Sequence, residues 1–368
     1  MNRFIPLPTF FFSRTVVFHV RGLWVLLILL SVPVTFAQDA ARQKAIDRGL
    51  HFLAQSQKND GSFGEGMYES DAAVCAFAGM AFLSSGEVGE FNRKPTPATR
   101  CADYLLSITH SDGFINRSAN NNYEGSFRPM YGHGFAALYL AEIFGMYNQP
   151  ELTDKLDRAV QLIVATQNDE GGWRYYPRKA DADVSVTACQ VMALRAARNA
   201  GRDVPAETIR KAIAYFKKCQ NSDGSFMYML PDGSGSLPRS AAVAAGLLSA
   251  GEYDSPQLNR AFAYLDGNVW KKDSAENRAF FLRIDNNLRR TPLDDRVEYP
   301  YYTIYYLTGV YRQRSDKWPQ WETDVVQTLL AAQNPDGSWS SEFSRDYATA
   351  IALIILQARN NYLPIWQR

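Results

Sequence analysis

Two kinds of segment alternate along the chain. One kind is amphipathic and charged: Ala41–Gln57, Thr96–Thr109, Pro150–Gln167, Pro205–Gln220, Pro256–Val269 and Pro319–Gln333. In the first of these, Ile46, Leu50 and Leu53 recur at helical spacing, with Arg42, Lys44, Asp47 and Arg48 on the remaining faces. Proline opens several of them, as it does at the first turn of a helix. The second kind is small and apolar nearly all round: Asp71–Ser84, His133–Met146, Asp183–Ala200, Ser240–Ala250, Tyr301–Arg312 and Asp346–Ala358. The run from Ala72 to Leu83 has no polar face, so such a helix must be covered on most sides. Gly86, Gly201 and Gly251 follow segments of this kind, where helix C-terminal caps favour glycine.

A repeated punctuation joins the first kind to the second. Gln57-Lys-Asn-Asp-Gly61-Ser-Phe63, Gln167-Asn-Asp-Glu-Gly171-Gly-Trp173, Gln220-Asn-Ser-Asp-Gly224-Ser-Phe226 and Gln333-Asn-Pro-Asp-Gly337-Ser-Trp339 share Gln, Gly and an aromatic at fixed spacing. A single Asp-Gly is an ordinary turn. Four copies in one register are a repeat. The Gln positions step by 53 from 167 to 220 and by 110 from 57 to 167. The longer interval holds a degenerate copy at His110-Ser-Asp-Gly113-Phe114, and Gly267-Asn-Val-Trp270 is read as another. Six helix pairs follow. Six apolar helices inside six charged ones form an all-α (α/α)6 toroid, a closed barrel that lets residues 38–368 fold as one domain.

Bulk composition narrows the partners. A formal net charge of +1, without blocks of like charge, argues against nucleic acid, which needs a basic stripe. Residues 1–37 read as a signal peptide. Arg3, Arg14 and Arg21 precede an apolar run from Leu23 to Leu30, and Thr35-Phe36-Ala37 offers a cleavage site. The run is short for a membrane span, so the expectation is a secreted or periplasmic protein with no stable span after cleavage. Cys75, Cys101, Cys189 and Cys219 lack metal-ligand spacing. They read as buried thiols or, in an exported chain, as disulfide partners; Cys189 with Cys219 is the most plausible pair.

The Gln-x3-Gly-x-Trp/Phe repeats between alternating helices resemble the prenyltransferase and squalene/terpene cyclase superfamily, over essentially the whole of residues 38–368. The resemblance implies an α/α toroid whose central cavity takes an isoprenoid chain, with the motif Gln and aromatic tying neighbouring helices together. If active, such a protein is a terpenoid cyclase or a prenyltransferase-like transferase or isomerase. The family's Asp-x-Asp-Asp-Thr-Ala acid motif corresponds here to Asp183-Val-Ser185-Val186-Thr187-Ala188, with Ser185 and Val186 in place of the last two acids. Where protein prenyltransferases carry a zinc-ligating His, the similar stretch here has Tyr302. Neither the standard cyclase acid nor a zinc site is expected, and no cofactor or metal is assigned.

First residues of the apolar helices should converge on one mouth of the barrel. These include Asp71, His133, Asp181 with Asp183, Arg239, Tyr302 and Asp346. In one reading Asp71, Asp183 and Asp346 cap their helices and His133 is a hydrogen-bonded wall residue. In the other, Asp183, Asp181 or His133 acts as a general acid or base, and Asp71, Arg239, Tyr131, Tyr302, Tyr305 and Asp346 bind a ligand. Arg239 suits an anionic group, and Tyr131, Phe135, Tyr302, Tyr305 and Tyr306 form a π-rich wall. The expected ligand is an apolar or isoprenoid small molecule, with a cell-envelope component as a further partner. The alternatives are a non-catalytic envelope scaffold and a carbohydrate-active toroid enzyme.

Overall fold

The computed structural model describes residues 32–86, 95–118, 128–231, 233–270 and 299–367. Its contacts divide the chain into Met1–Ala41 and Arg42–Arg368. Of the first unit, only the start of helix α1 lies among the described residues. The signal-peptide run through Leu30 lies outside them. No helix among the described residues is long and apolar enough to cross a membrane.

Twelve α-helices are described. The outer set is α1 (Val32–Ser56), α3 (Pro97–Ser107), α5 (Leu152–Thr166), α7 (Ala206–Lys218), α9 (Pro256–Val269) and α11 (Trp318–Ala332). The inner set is α2 (Ala72–Leu83), α4 (Pro129–Ile143), α6 (Val184–Asn199), α8 (Leu237–Ser249), α10 (Pro300–Arg312) and α12 (Arg345–Leu356). In α5, Leu152, Leu156, Ala159, Val160 and Ile163 are buried, a stripe at helical spacing that faces the core. In α2 every residue except Ala73 is buried, as its lack of a polar face requires. Inner helices touch in cyclic order, α2–α4–α6–α8–α10–α12 and back to α2. The expected (α/α)6 toroid is the observed fold.

The repeated loops hold the two rings together. In each of four copies the Gln amide donates twice, once to its own Gly carbonyl and once to a carbonyl of the next outer helix. Gln57 Nε2 reaches Gly61 O and Pro97 O at 3.0 Å each; Gln167 reaches Gly171 O and Thr208 O at 2.9 Å each. Gln220 reaches Gly224 O at 3.3 Å and Gln257 O at 2.8 Å. Gln333 reaches Gly337 O and Ala45 O at 2.9 Å each, so the last repeat is stitched to the first helix and the ring closes. Each motif Gly has φ near +90°, and an added Cβ would strike the neighbouring outer helix: Arg100 O at 2.3 Å from Gly61, Arg48 O at 2.6 Å from Gly337.

Two details differ from the sequence reading. In the degenerate copy, Ile115 rather than Phe114 takes the aromatic's place, since Thr109 bridges Ile115 just as Gln220 bridges Phe226. Gly113 keeps φ +90° there, against the backbone of Arg158. Gly267 is not a turn at all. It lies inside α9, and Trp270 caps that helix's C-terminus with its indole donating to Asp324 at 3.2 Å. The four cysteines are free and buried, so the Cys189–Cys219 pair is not formed.

Candidate functional site

Inner helices start at one end of the barrel, and their first turns surround a cavity of about 440 Å³. The 3-10 turn Pro364–Trp366 lays Trp366 against Gly309 of α10 and within 5.6 Å of the Tyr305 ring. Between plug and cavity lies an aromatic floor. Phe77 and Phe135 line the cavity with ring centroids 4.4 Å apart, and Tyr305 stands edge-on beneath Phe77 at 5.2 Å.

The walls carry Tyr131, Tyr302, Tyr175, Tyr228, Tyr299 and Tyr347. On one side cations and rings alternate. Arg128 lies 4.7 Å over Tyr175, Arg174 lies 4.8 Å from Tyr175 and 5.4 Å from Tyr228, and Arg239 lies 5.7 Å from Tyr228. The Tyr175 and Tyr228 hydroxyls are hydrogen-bonded to each other. Arg128 and Tyr299 hold left-handed backbone (φ 53° and 57°) immediately before Pro129 and Pro300. Non-glycine residues rarely adopt that conformation, and it clusters at functional sites.

Of the residues singled out in the sequence, Asp71, Arg239, Tyr131 and Tyr302 border this cavity. Asp71 Oδ1 accepts from the amides of Ala73 and Val74, at 2.8 and 3.1 Å, and caps α2. Burial raises its pKa, against the pull of those two amides. It is the only carboxylate bordering the cavity among the described residues.

Asp183 stands behind the wall, fully buried. Its Oδ1 accepts from the amides of Ser185 and Val186 at 2.9 Å each, and Oδ2 lies 3.6 Å from Arg174 Nε. Burial pushes its pKa up to about 6; the two amides and Arg174 oppose that shift. Asp181 is half-exposed and paired with Arg174. Asp346 is buried, with Oδ2 accepting from Gly64 N at 2.8 Å, a tie from α12 to the first loop. Tyr305 belongs to the floor and plug rather than the cavity wall.

His133 also lies away from the mouth. The expected helix start at His133 falls one turn late, because α4 begins at Pro129, and the mouth residues are therefore Arg128, Tyr131 and Gly132. His133 Nδ1 accepts from Ile115 N at 3.2 Å, and Nε2 lies 3.2 Å from the Ala159 carbonyl. The other repeats use a simpler group at this point. Cys75 Sγ, Thr187 Oγ1, Ser240 Oγ and Thr349 Oγ1 accept from the amides of Phe63, Trp173, Phe226 and Trp339. Both ring nitrogens of His133 are thus engaged in holding a loop. Burial lowers its pKa to about 4, so it is neutral.

Sequence reasoning missed Tyr68, Arg128, Tyr175, Tyr228, Phe343 and Tyr347. Tyr175 and Tyr228 sit two residues beyond a motif aromatic (Trp173 and Phe226), a constant offset that could have marked them. Among the described residues no three His, Cys, Asp or Glu side chains gather as a metal-binding group.

Two family models match the chain: the squalene-hopene cyclase C-terminal domain over residues 135–281, and the prenyltransferase alpha-alpha toroid domain over residues 17–118. Over these two stretches the chain is similar to the squalene-hopene cyclase and prenyltransferase α/α-toroid families. Comparison with curated proteins gives no match. Among solved structures, a type II terpene cyclase from Scytonema in complex with geranylgeranyl dihydroxybenzoate is similar, with 13% identity and TM-score 0.57 over 89% of this chain and 99% of that one. An alpha-mannanase from Bacteroides thetaiotaomicron gives 13% identity and TM-score 0.59, over 87% and 96%. A cellobiose 2-epimerase from Bacillus thermoamylovorans gives 11% and 0.58, over 88% and 100%. At such identities the likeness speaks for the toroid fold alone.

In the resemblance drawn from the sequence, the stretch Asp183–Ala188 that corresponds to the acid motif forms the start of α6. Ser185, in the place of the central acid, lines the cavity. A hydroxyl there can accept or donate a hydrogen bond, but it cannot protonate an alkene.

Proposed function

We propose that this protein binds an apolar, isoprenoid-type ligand in the mouth half of its toroid and performs neither acid-initiated cyclisation nor zinc-dependent prenyl transfer. The observation that carries this is the cavity itself: an aromatic floor and tyrosine walls, with Ser185 where a cyclase acid would face the substrate. Its volume lies within the range of about 300–1,000 Å³ that suits small-molecule sites. Tyr302, in the place of the zinc-binding histidine, supplies an aromatic ring to the same wall. We further propose that the protein works after export, on the strength of the leader-like residues 1–37, with a cell-envelope component as its source of ligand.

The carbohydrate reading has one structural support, the similarity to glycoside-acting toroids. A glycosidase needs two carboxylates across the scissile bond, whereas Asp71 alone borders this cavity among the described residues.

Native mass spectrometry with lipid extraction, on protein purified from its own envelope, tests the proposal. A co-purifying isoprenoid, displaced by farnesol in a fluorescence titration, is the expected outcome. Phe135→Ala, at the floor, should weaken farnesol binding about tenfold or more through lost apolar contact. Saturable binding of a mannan oligosaccharide without isoprenoid binding would replace this reading, and squalene cyclisation by the pure protein would refute its chemical half.

A further inference from the structure

On the far side of the aromatic floor from the cavity, polar atoms meet without satisfying one another. The Pro364–Trp366 turn seats its indole on Gly309 of α10, and a Cβ at that glycine would lie only 3.1 Å from Trp366 Nε1. That Nε1 is buried without an acceptor, and the buried hydroxyl of Tyr305, on the same helix as Gly309, has no partner among the described residues. Glu142, near the end of α4, is buried too, and its Oε2 has no partner. Each buried polar atom left unpaired costs free energy and calls for explanation. Three along one seam mark a contact that holds weakly.

Little ties the turn to the ring. Its own hydrogen bonds are local, from Trp366 N to Leu363 O at 3.2 Å and from Gln367 N to Pro364 O at 2.9 Å. Leu363, Ile365 and Trp366 are buried against the toroid, and the Ile365 amide donates to the Glu142 carboxyl. That carboxyl has nothing to balance a charge. α4 packs against α2, α3, α5 and α6, and α6 also touches the turn. Cys75 of α2, Asp103 of α3, Asp157 of α5 and Arg195 of α6 are ionisable, yet none of them acts on Glu142. Tyr305 of α10 is the group that feels its charge, and burial holds that phenol neutral. A neutral carboxyl can stay buried, whereas an ionised one without a cation needs water. The turn that covers it is the part of the surroundings with least to lose by moving.

We propose that the Pro364–Trp366 turn is a pH-sensitive latch, seated on Gly309 while Glu142 is protonated and lifted when Glu142 ionises, which uncovers the underside of the aromatic floor. Burial pushes the seated carboxyl up to about 8, against the pull of the Ile365 amide, and solvation in the lifted state returns it towards its ordinary 4.5. Lifting therefore grows easier as pH rises between those two values and levels off above the upper one.

Amide hydrogen exchange of the full chain, read by mass spectrometry and corrected for the intrinsic rate at each pH, tests the latch. In the wild type, protection of the Ile365, Trp366 and Gln367 amides is expected to fall about thirtyfold or more between about pH 5.5 and about pH 8, while α2 keeps its protection. Glu142→Gln, neutral throughout and still an acceptor, should hold the turn's protection level over the same range. Glu142→Met, of similar size and without charge, repeats that comparison if the glutamine variant does not fold. Wild-type protection that does not change with pH overturns the proposal. So does a loss shared by α2, which marks opening of the whole toroid, or a loss that persists in E142Q.

Discussion

His133 and Glu142 lie on the same helix and carry opposite lessons about buried ionisable groups. His133 looked like a general acid or base because a histidine beside an apolar run is chemically conspicuous. Its neighbours show otherwise: an amide on one nitrogen and a carbonyl on the other, in a place where other repeats use Thr, Ser or Cys. Glu142 drew no notice in the sequence. It is buried at the far end of α4, its Oε2 has no partner, and burial pushes its pKa up to about 8. The two groups bend the stability curve in opposite senses. His133 has a folded pKa below its ordinary 6.5, so its contribution is full above that pH and is lost as pH falls towards about 4. Glu142 has a folded pKa above its ordinary 4.5, so its contribution is full below that pH and is lost as pH rises through about 8. Urea unfolding across pH should therefore show Glu142→Gln flattening the alkaline side. His133→Ala should flatten the acid side, cost about 1–3 kcal/mol for the unpaired Ile115 amide, and leave farnesol binding intact.

At the level of elements, the helix pairs and their loops were legible because each rests on a local rule. Apolar periodicity marks the outer helices, the lack of any polar face marks the inner ones, and Gly at φ near +90° marks each loop. Helix starts were less legible. Reading α4 from His133 rather than Pro129 moved the mouth by a turn and hid Arg128. The signal was present in Arg128-Pro129, since proline favours the first turn. Gly267 misled for the converse reason: a glycine inside a helix imitates a turn when only the sequence is read. The loop chemistry makes a graded prediction. Gly337→Ala forces a left-handed backbone onto alanine and drives Cβ into the Arg48 carbonyl, and should cost about 2–4 kcal/mol. Gln333→Ala removes two hydrogen bonds and should cost about 1–3 kcal/mol. Chemical denaturation that ranked Gln333→Ala as the more damaging of the two would contradict this account of the loop.

The whole molecule adds features that no single repeat contains. Gln333 meets Ala45 to close the ring, and the Pro364–Trp366 turn packs Trp366 against Gly309 and the Tyr305 ring, on the far side of the floor from the cavity. The plug makes a length prediction. Trp366→Ala should cost about 3–5 kcal/mol and deepen the cavity below Tyr305, so the preferred prenyl alcohol should lengthen from farnesol towards geranylgeraniol in competition titrations. An unchanged preference would show that the aromatic floor, rather than the plug, sets the depth.

Repeats, helix classes and the likeness to a cyclase whose acid has become Ser185 were all determined by the sequence, because each depends on residues close together or on fixed spacing. Which side chains meet at the mouth was decided by tertiary structure alone. Arg128, Tyr175, Tyr228 and Arg239 come from different repeats. Asp183 caps its inner helix as Asp71 does, and Asp346, expected as a cap, lies inside a first turn that Ser344 caps instead; both are buried in the frame, whereas Asp71 borders the cavity. Spacing assigns a residue to a helix. The rotation of that helix in the closed ring decides whether the residue faces ligand, wall or core.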